Sequence, residues 1–482
     1  METTAAGDSE LHETMEKAPR GRLDSLTRPR VWHAAALALI PIYTIVGGVV
    51  GRHLTFFWDD VDIVLSFRNY GLSAILQGEQ VHWFPLGKIL LLIEYWAFGN
   101  FYPGYTAVAA LELAVGFYLL YRATGLFESR SAWLGTMSMA MILFVPGSLA
   151  VVMIAMNAGP LIAFTLAALA ALLLAKEQPW FFWVPVLALA FLASSGSAVI
   201  YSLILAAAVL FRDLSRRGRT RPRLLLLATV VVSGVCWTLV GSSIAARNQT
   251  DMYRGVGKSV PSMLDTAHIV EVVQTWVTVF FGWLAAPLIP GVLAPLHDGV
   301  TRLLFLLRPL APVLIVVTLA LMIVTSLRRF PRLRDRSLLS RLLLIVSGAL
   351  FAVIVYGRPS NVFTERYQPM WLPVVLLVWL SVRSGLSGFG RFARGFTHVL
   401  VSLLVATTIV VLVSLPWTIR HAADIDRPRW QGSADQVAAA RACVDGAPQN
   451  GFKDLSGVFD GEDICHMADY LSQLSPFPWA GP

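Results

Sequence analysis

The apolar runs of this chain leave it few ways to fold. Residues 31–50, 155–175 and 396–415, among others, are runs without a formal charge, and each reaches the ~18 residues that carry a helix across a hydrocarbon core. In lipid every backbone N–H and C=O must be satisfied inside the protein, which restricts spanning segments to helices and closed barrels. The runs are continuous rather than alternating apolar with polar, and this excludes a barrel. Only 14% of residues are charged, against the ~25% of a soluble domain, and mean hydropathy is +0.65. The chain reads as an all-α polytopic membrane protein.

A net charge of +8 and a pI near 9.6 would also suit a nucleic-acid binder. The basic residues, however, sit in short clusters between apolar runs, where a positive-inside bias places them, so no nucleic-acid partner is expected. RDLSRRGRTRPR (212–223), RRFPRLRDR (328–336) and RSGLSGFGRFARG (383–395) are the strongest of these. Residues 1–30 form a polar, disordered cytoplasmic tail that ends in Arg28-Pro29-Arg30. With that tail inside, 31–50 runs outward, and 61–75 and 84–98 make interfacial or juxtamembrane helices in a first outer loop, 51–104. The run 105–121 returns. The runs 133–150 with 155–175, and 181–193 with 198–211, form two close pairs, and 224–244 goes out again. A second outer segment covers 245–308; its 268–290 stretch could span, but that would place 328–336 outside, so an interfacial helix is the preferred reading. Four further spans follow at 310–327, 338–356, 370–382 and 396–415. The tally is about eleven spans in a transmembrane domain over 31–415, with every strongly basic loop inside.

That topology leaves 416–482 as a small extracytoplasmic tail with a helix at 434–443. Of the three cysteines, Cys236 lies in an apolar run, while Cys443 and Cys465 share the tail. On the oxidising side these two are expected to form a disulfide. Two separate thiols are the alternative, since sequence alone does not give their separation. No cysteine spacing of the metal-binding type occurs.

The first outer loop holds the most concentrated chemistry. Asp59, Asp60 and Asp62 follow the first span directly, and Glu79, His82 and Lys88 come later in the same loop. The other outer segments are basic: Arg247, Arg254, Lys258, then Arg358 and Arg366 beside Tyr367. A surface carboxylate can act as general base toward an acceptor hydroxyl, and cations can hold a phosphate leaving group and neutralise its charge. Such a site needs no soluble nucleotide, and no Gly-rich phosphate loop is present. Each element also has a plainer role: an acidic run behind a span as a solvated loop, His82 as a packing histidine, Arg366 and Tyr367 as interfacial anchors. Asp59 and Asp62 share a helical face and Asp60 points elsewhere, which leaves open which of Asp59 and Asp60 is the base. Lys88 and Glu94 in an apolar stretch are costly at membrane depth and demand a reason. Asp59, Asp60 and His82 could supply ligands to a divalent cation, but no spacing is diagnostic of a metal site, and no cofactor is assigned.

Several of these features together resemble the start of the GT-C fold membrane glycosyltransferases. They are a first span, then FFWDDVD, then His82 with Phe84-Pro85-Leu86, Phe98-Gly99, and a span ending in Tyr121-Arg122. The later ERYQP (365–369) is similar to an Arg-Tyr-Pro element that recurs in such enzymes. The resemblance covers about 90 N-terminal residues, the span count and that one late motif. It implies inverting transfer of a sugar from a polyprenyl-phosphate donor to an extracytoplasmic glycan, lipid or protein. By position Asp60 or Asp59 would be the base, and Arg366 with Arg358 would contact the donor phosphate. Asp62, Glu79, His82, Lys88 and Tyr367 complete the candidate substrate-binding set. A transporter or flippase of a lipid-linked or small substrate is the second reading. It predicts charges within spans and paired broken helices.

Overall fold

The structure is a computed structural model that describes residues 29–56, 59–77, 84–123, 132–144, 146–176, 178–194 and 461–475, with scattered helical positions between 228 and 235, 398 and 419, and 435 and 443. These residues are almost wholly helical and include no strand. The expected spans 198–211, 310–327, 338–356 and 370–382 and the segment 245–308 lie outside them; 224–244 is described at three helical positions only.

Three described helices are long and apolar enough to cross a membrane: α1 (Pro29–Val50), α4 (Tyr102–Ala123) and α7 (Ala158–Ala175). They pack side by side in that order, and α8 (Trp180–Ala193) lies against α7. Lipid tails are as apolar as the helices, so close backbone approach must hold such a bundle together. At Gly47 of α1 a Cβ would lie 2.6 Å from Ala110 Cβ and 2.7 Å from the Thr106 carbonyl oxygen of α4. One turn on, Gly51 would meet the Thr106 side chain. The other end of α1 is pinned by polar contacts: His33 Nε2 lies 2.6 Å from Tyr118 Oη, and Thr136 Oγ1 donates to the Trp32 carbonyl at 2.8 Å.

The run 133–150 was expected to be one span. Instead α5 (Ala132–Phe144) stops and α6 (Pro146–Val152) starts afresh. Pro146 has no N–H to give to the carbonyl of residue 142, but proline suits the first position of a new helix. The Ser148 hydroxyl donates to the Ile142 carbonyl that the proline cannot serve. A 3-10 turn, Ala155–Asn157, then leads into α7, and Asn157 Nδ2 closes it on the Val151 carbonyl at 2.7 Å.

The first loop is built from two helices and a turn. The helix α2 (Asp59–Tyr70) runs into the 3-10 turn Gly71–Leu76 at Gly71, φ +56°. The helix α3 (Pro85–Phe98) opens on proline and is stopped by Gly99 at φ +54°, a conformation that glycine adopts without strain. The 14 residues of α3 are fewer than a span needs, as its sequence suggested. The C-terminal helix α9 (Gly461–Leu474), within the expected tail, packs on this loop. Its apolar stripe Ile464, Met467, Ala468 and Leu471 is buried against α2 and α3. Val411, in the region of the expected last span, belongs to the same core.

Candidate functional site

Asp59, Asp60 and Asp62 occupy the first turn of α2, where exposed N–H groups and the helix dipole favour negative charge. That accounts for acidic residues here but not for where one of them points. The buried residues of α2 are Asp60, Val61, Ile63, Val64, Ser66 and Phe67, and Asp60, Ile63, Val64 and Phe67 among them are spaced i, i+3, i+4 and i+7. Asp60 therefore stands in a core position, 1% exposed, while Asp62 is exposed. A carboxyl group at such a position costs free energy unless its partners offset it.

Asp60 faces an aromatic cluster. The Tyr102 hydroxyl lies 3.4 Å from Asp60 Oδ2, donates to the Met153 carbonyl at 2.9 Å and accepts the Ala155 N–H at 3.3 Å. A phenol has one hydrogen, and Met153 at the shorter distance holds it; Asp60 is the second acceptor in reach. Tyr102 thus joins Asp60 to the break between α6 and α7. The Phe56 ring meets Tyr95, Tyr102 and Tyr105 edge-on at centroid distances of 6.0, 5.2 and 5.0 Å. Such edge-to-face pairs add to what burial alone contributes. Tyr105 gives its hydrogen to the Gly99 carbonyl at 2.8 Å, tying the end of α3 to α4. Burial, then the Asp60 and Glu94 carboxylates, then Tyr470 of α9, push the Tyr95 phenol well above its usual range. Burial also pushes the Glu94 carboxyl up, to about 8. Tyr470, half-buried, is raised by the same cause.

Lys88, expected among the substrate-binding groups, is fully buried on α3. Its ammonium donates to the Ala74 and Gln77 carbonyls at 2.8 and 3.0 Å and sits 5.6 Å from the centre of the Phe84 ring. It fastens the 3-10 turn to α3, and two of its three hydrogens are committed there. Asp59 begins α2, but its side chain lies outside the described residues, as do Glu79, His82, Arg358, Arg366 and Tyr367. The structure therefore brings Asp60 together with Tyr95, Tyr102 and Tyr105, and bears on neither the basic partners nor the side chain of Asp59. Among the described residues no three of His, Cys, Asp or Glu come together as metal ligands. Cys443 and Cys465 form a disulfide, with Cα atoms 5.4 Å apart.

Two features were missed in the sequence. Asp60 stands in register with Ile63, Val64 and Phe67, a pattern that already placed it on the buried face. Glu112, a carboxyl group midway along α4, is buried, and its Oε2 has no hydrogen-bond partner among the described residues. The apolar residues around it hid it in the count of span charges. Comparison of the chain with protein-family models, with curated proteins and with solved structures finds no match.

Proposed function

We propose that the chain is an integral-membrane glycosyltransferase of GT-C type. On this reading it has about eleven spans in a bacterial-type plasma membrane, the N-terminus cytoplasmic and the C-terminus extracytoplasmic. It moves a sugar from a polyprenyl-phosphate donor to a glycan, lipid or protein acceptor on the outer face, with inversion. The acceptor oxygen bonds to the anomeric carbon as the bond from that carbon to the phosphate oxygen breaks. The acceptor proton passes to a carboxylate of the first loop, and polyprenyl phosphate leaves with the bonding electrons. Asp60 is our choice of base over Asp59, and Arg366 with Arg358 would hold the phosphate. The observation that carries this choice is the placement of a carboxyl group on the core face of α2, where packing alone would select an apolar side chain. The tyrosines around it keep bulk water from the base, as a transfer that must not become hydrolysis requires.

The test is replacement of Asp59 and Asp60 by Asn, singly and together, with the protein confirmed in the membrane. Asp60→Asn is expected to abolish transfer of radiolabelled sugar from membrane polyprenyl-phosphate donors, and Asp59→Asn to reduce it far less. Undiminished transfer by the double variant refutes the assignment.

A transporter or flippase is the second reading, and two observations favour it: the broken helix between α5 and α7, and Glu112 within a span. Substrate flux in proteoliposomes that survives Asp60→Asn but not Glu112→Gln would select it.

A further inference from the structure

The C-terminal helix is hundreds of residues from the first loop in sequence, yet it is built into it. Three contacts of different kind join them. The apolar stripe Ile464, Met467, Ala468 and Leu471 is buried against α2 and α3, the helices that carry Asp60 and Tyr95. Asn100, just after α3, is buried and gives Nδ2 to the Ala468 carbonyl at 3.3 Å. At the Gly99 turn a Cβ would lie 2.7 Å from Ser475 Cβ and 3.1 Å from the Leu471 carbonyl, so the end of α9 seats where only glycine leaves room.

Helix α9 has 14 residues, a length at which an isolated helix is marginal in water. Its anchor is the bond from Cys465, inside α9, to Cys443, 22 residues earlier, beside Ala439 and Ala440 of the shared core. We propose that α9 is a positioning element of the Asp60 site, with Ala468, Leu471 and Ser475 as its seating residues, and that the Cys443–Cys465 bond keeps it seated. The loop helices α2 and α3 hold their places because α9 closes over them. Reduction of one bond far along the chain therefore loosens the loop while the spanning bundle stays intact. This concerns the build of the loop whatever reaction it serves, so its failure would not bear on the transferase reading, nor the reverse.

Hydrogen exchange of the whole chain in lipid nanodiscs, read peptide by peptide by mass spectrometry, tests it. Two variants are compared with the unaltered protein: Cys443→Ser with Cys465→Ser, and Ala468→Glu. The second leaves the disulfide in place and puts a charge into the seat. Both are expected to raise exchange in 59–70 and 85–98 at least tenfold, with 102–123 and 158–175 unchanged. Exchange in 59–70 and 85–98 that stays at the unaltered rate in both variants overturns the proposal. A rise of equal size in the spans also overturns it, because α9 would then be a general stabiliser rather than a positioning element.

Discussion

If Asp60 is kept on the core face of α2 for chemistry, the fold should do better without it. Asp60→Leu gives a direct measure. The leucine would complete the stripe with Ile63, Val64 and Phe67, and burying its side chain contributes about 1.5–3 kcal/mol. Against this stand the polar interactions of the carboxylate, of which two can be valued. The carboxylate's interaction with the α2 N-terminus amounts to about 0.3–1 kcal/mol. The long contact with Tyr102 is worth at most about 1 kcal/mol, and Tyr102 keeps Met153 and Ala155 as partners. Set against those two alone, the leucine is a gain of about 1 kcal/mol, and transfer is expected to be lost. The assay is reversible unfolding by SDS in mixed micelles, run beside Asp60→Asn and Asp62→Leu as a buried isostere and an exposed control. A loss of more than about 2 kcal/mol for Asp60→Leu would refute the reasoning, because it would make the carboxylate a structural group whose partners depend on it.

Two further outcomes test the frame around the site. At Gly159 a Cβ would lie 2.7 Å from the Ala193 carbonyl, at the contact of α7 with α8 and α3, so Gly159→Ala is expected to cost about 1–3 kcal/mol in the same unfolding assay; a neutral result would mean the helices separate freely there. Lys88→Met keeps the buried stem and removes the donor to Ala74 and Gln77, at an expected cost of about 1.5–3 kcal/mol. Limited proteolysis should then cut within 71–84 faster, and an unchanged cutting rate would show that Lys88 does not hold the turn.

What could be read in advance divides along physical lines. The helices α1, α4 and α7 were placed to within a few residues because length and apolarity alone decide a span. The turn at Gly99 was visible as Phe98-Gly99, and the structure supplies its cause in a positive φ and a crowded neighbour. Proline was a poorer guide: Pro41 and Pro185 stay inside continuous helices, while Pro146 ends one. Sequence does not show what serves the carbonyl that a proline orphans, which at Ile142 is the hydroxyl of Ser148, two residues beyond the proline. The role of Lys88 was hidden for a like reason, since a cation in an apolar stretch reads the same whether it meets a ligand or a pair of backbone carbonyls. The docking of α9 was out of reach, since its stripe announces a buried face without naming the surface that buries it. Asp60 was within reach, because α2 has one apolar stripe and Asp60 stands on it.

The seating of α9 on the first loop also bears on how the protein is made. Ile464 meets a helix that left the ribosome roughly 400 residues earlier, an interval of about 20–80 s at ordinary synthesis rates. Through that time α2 and α3 are held only by their own span-side contacts, and their α9-facing surface is open. A nascent chain therefore carries Asp60 without the helix that encloses its loop. Any chaperone that shields the first loop would act in this interval, and any chain truncated before residue 461 would keep the surface open for good.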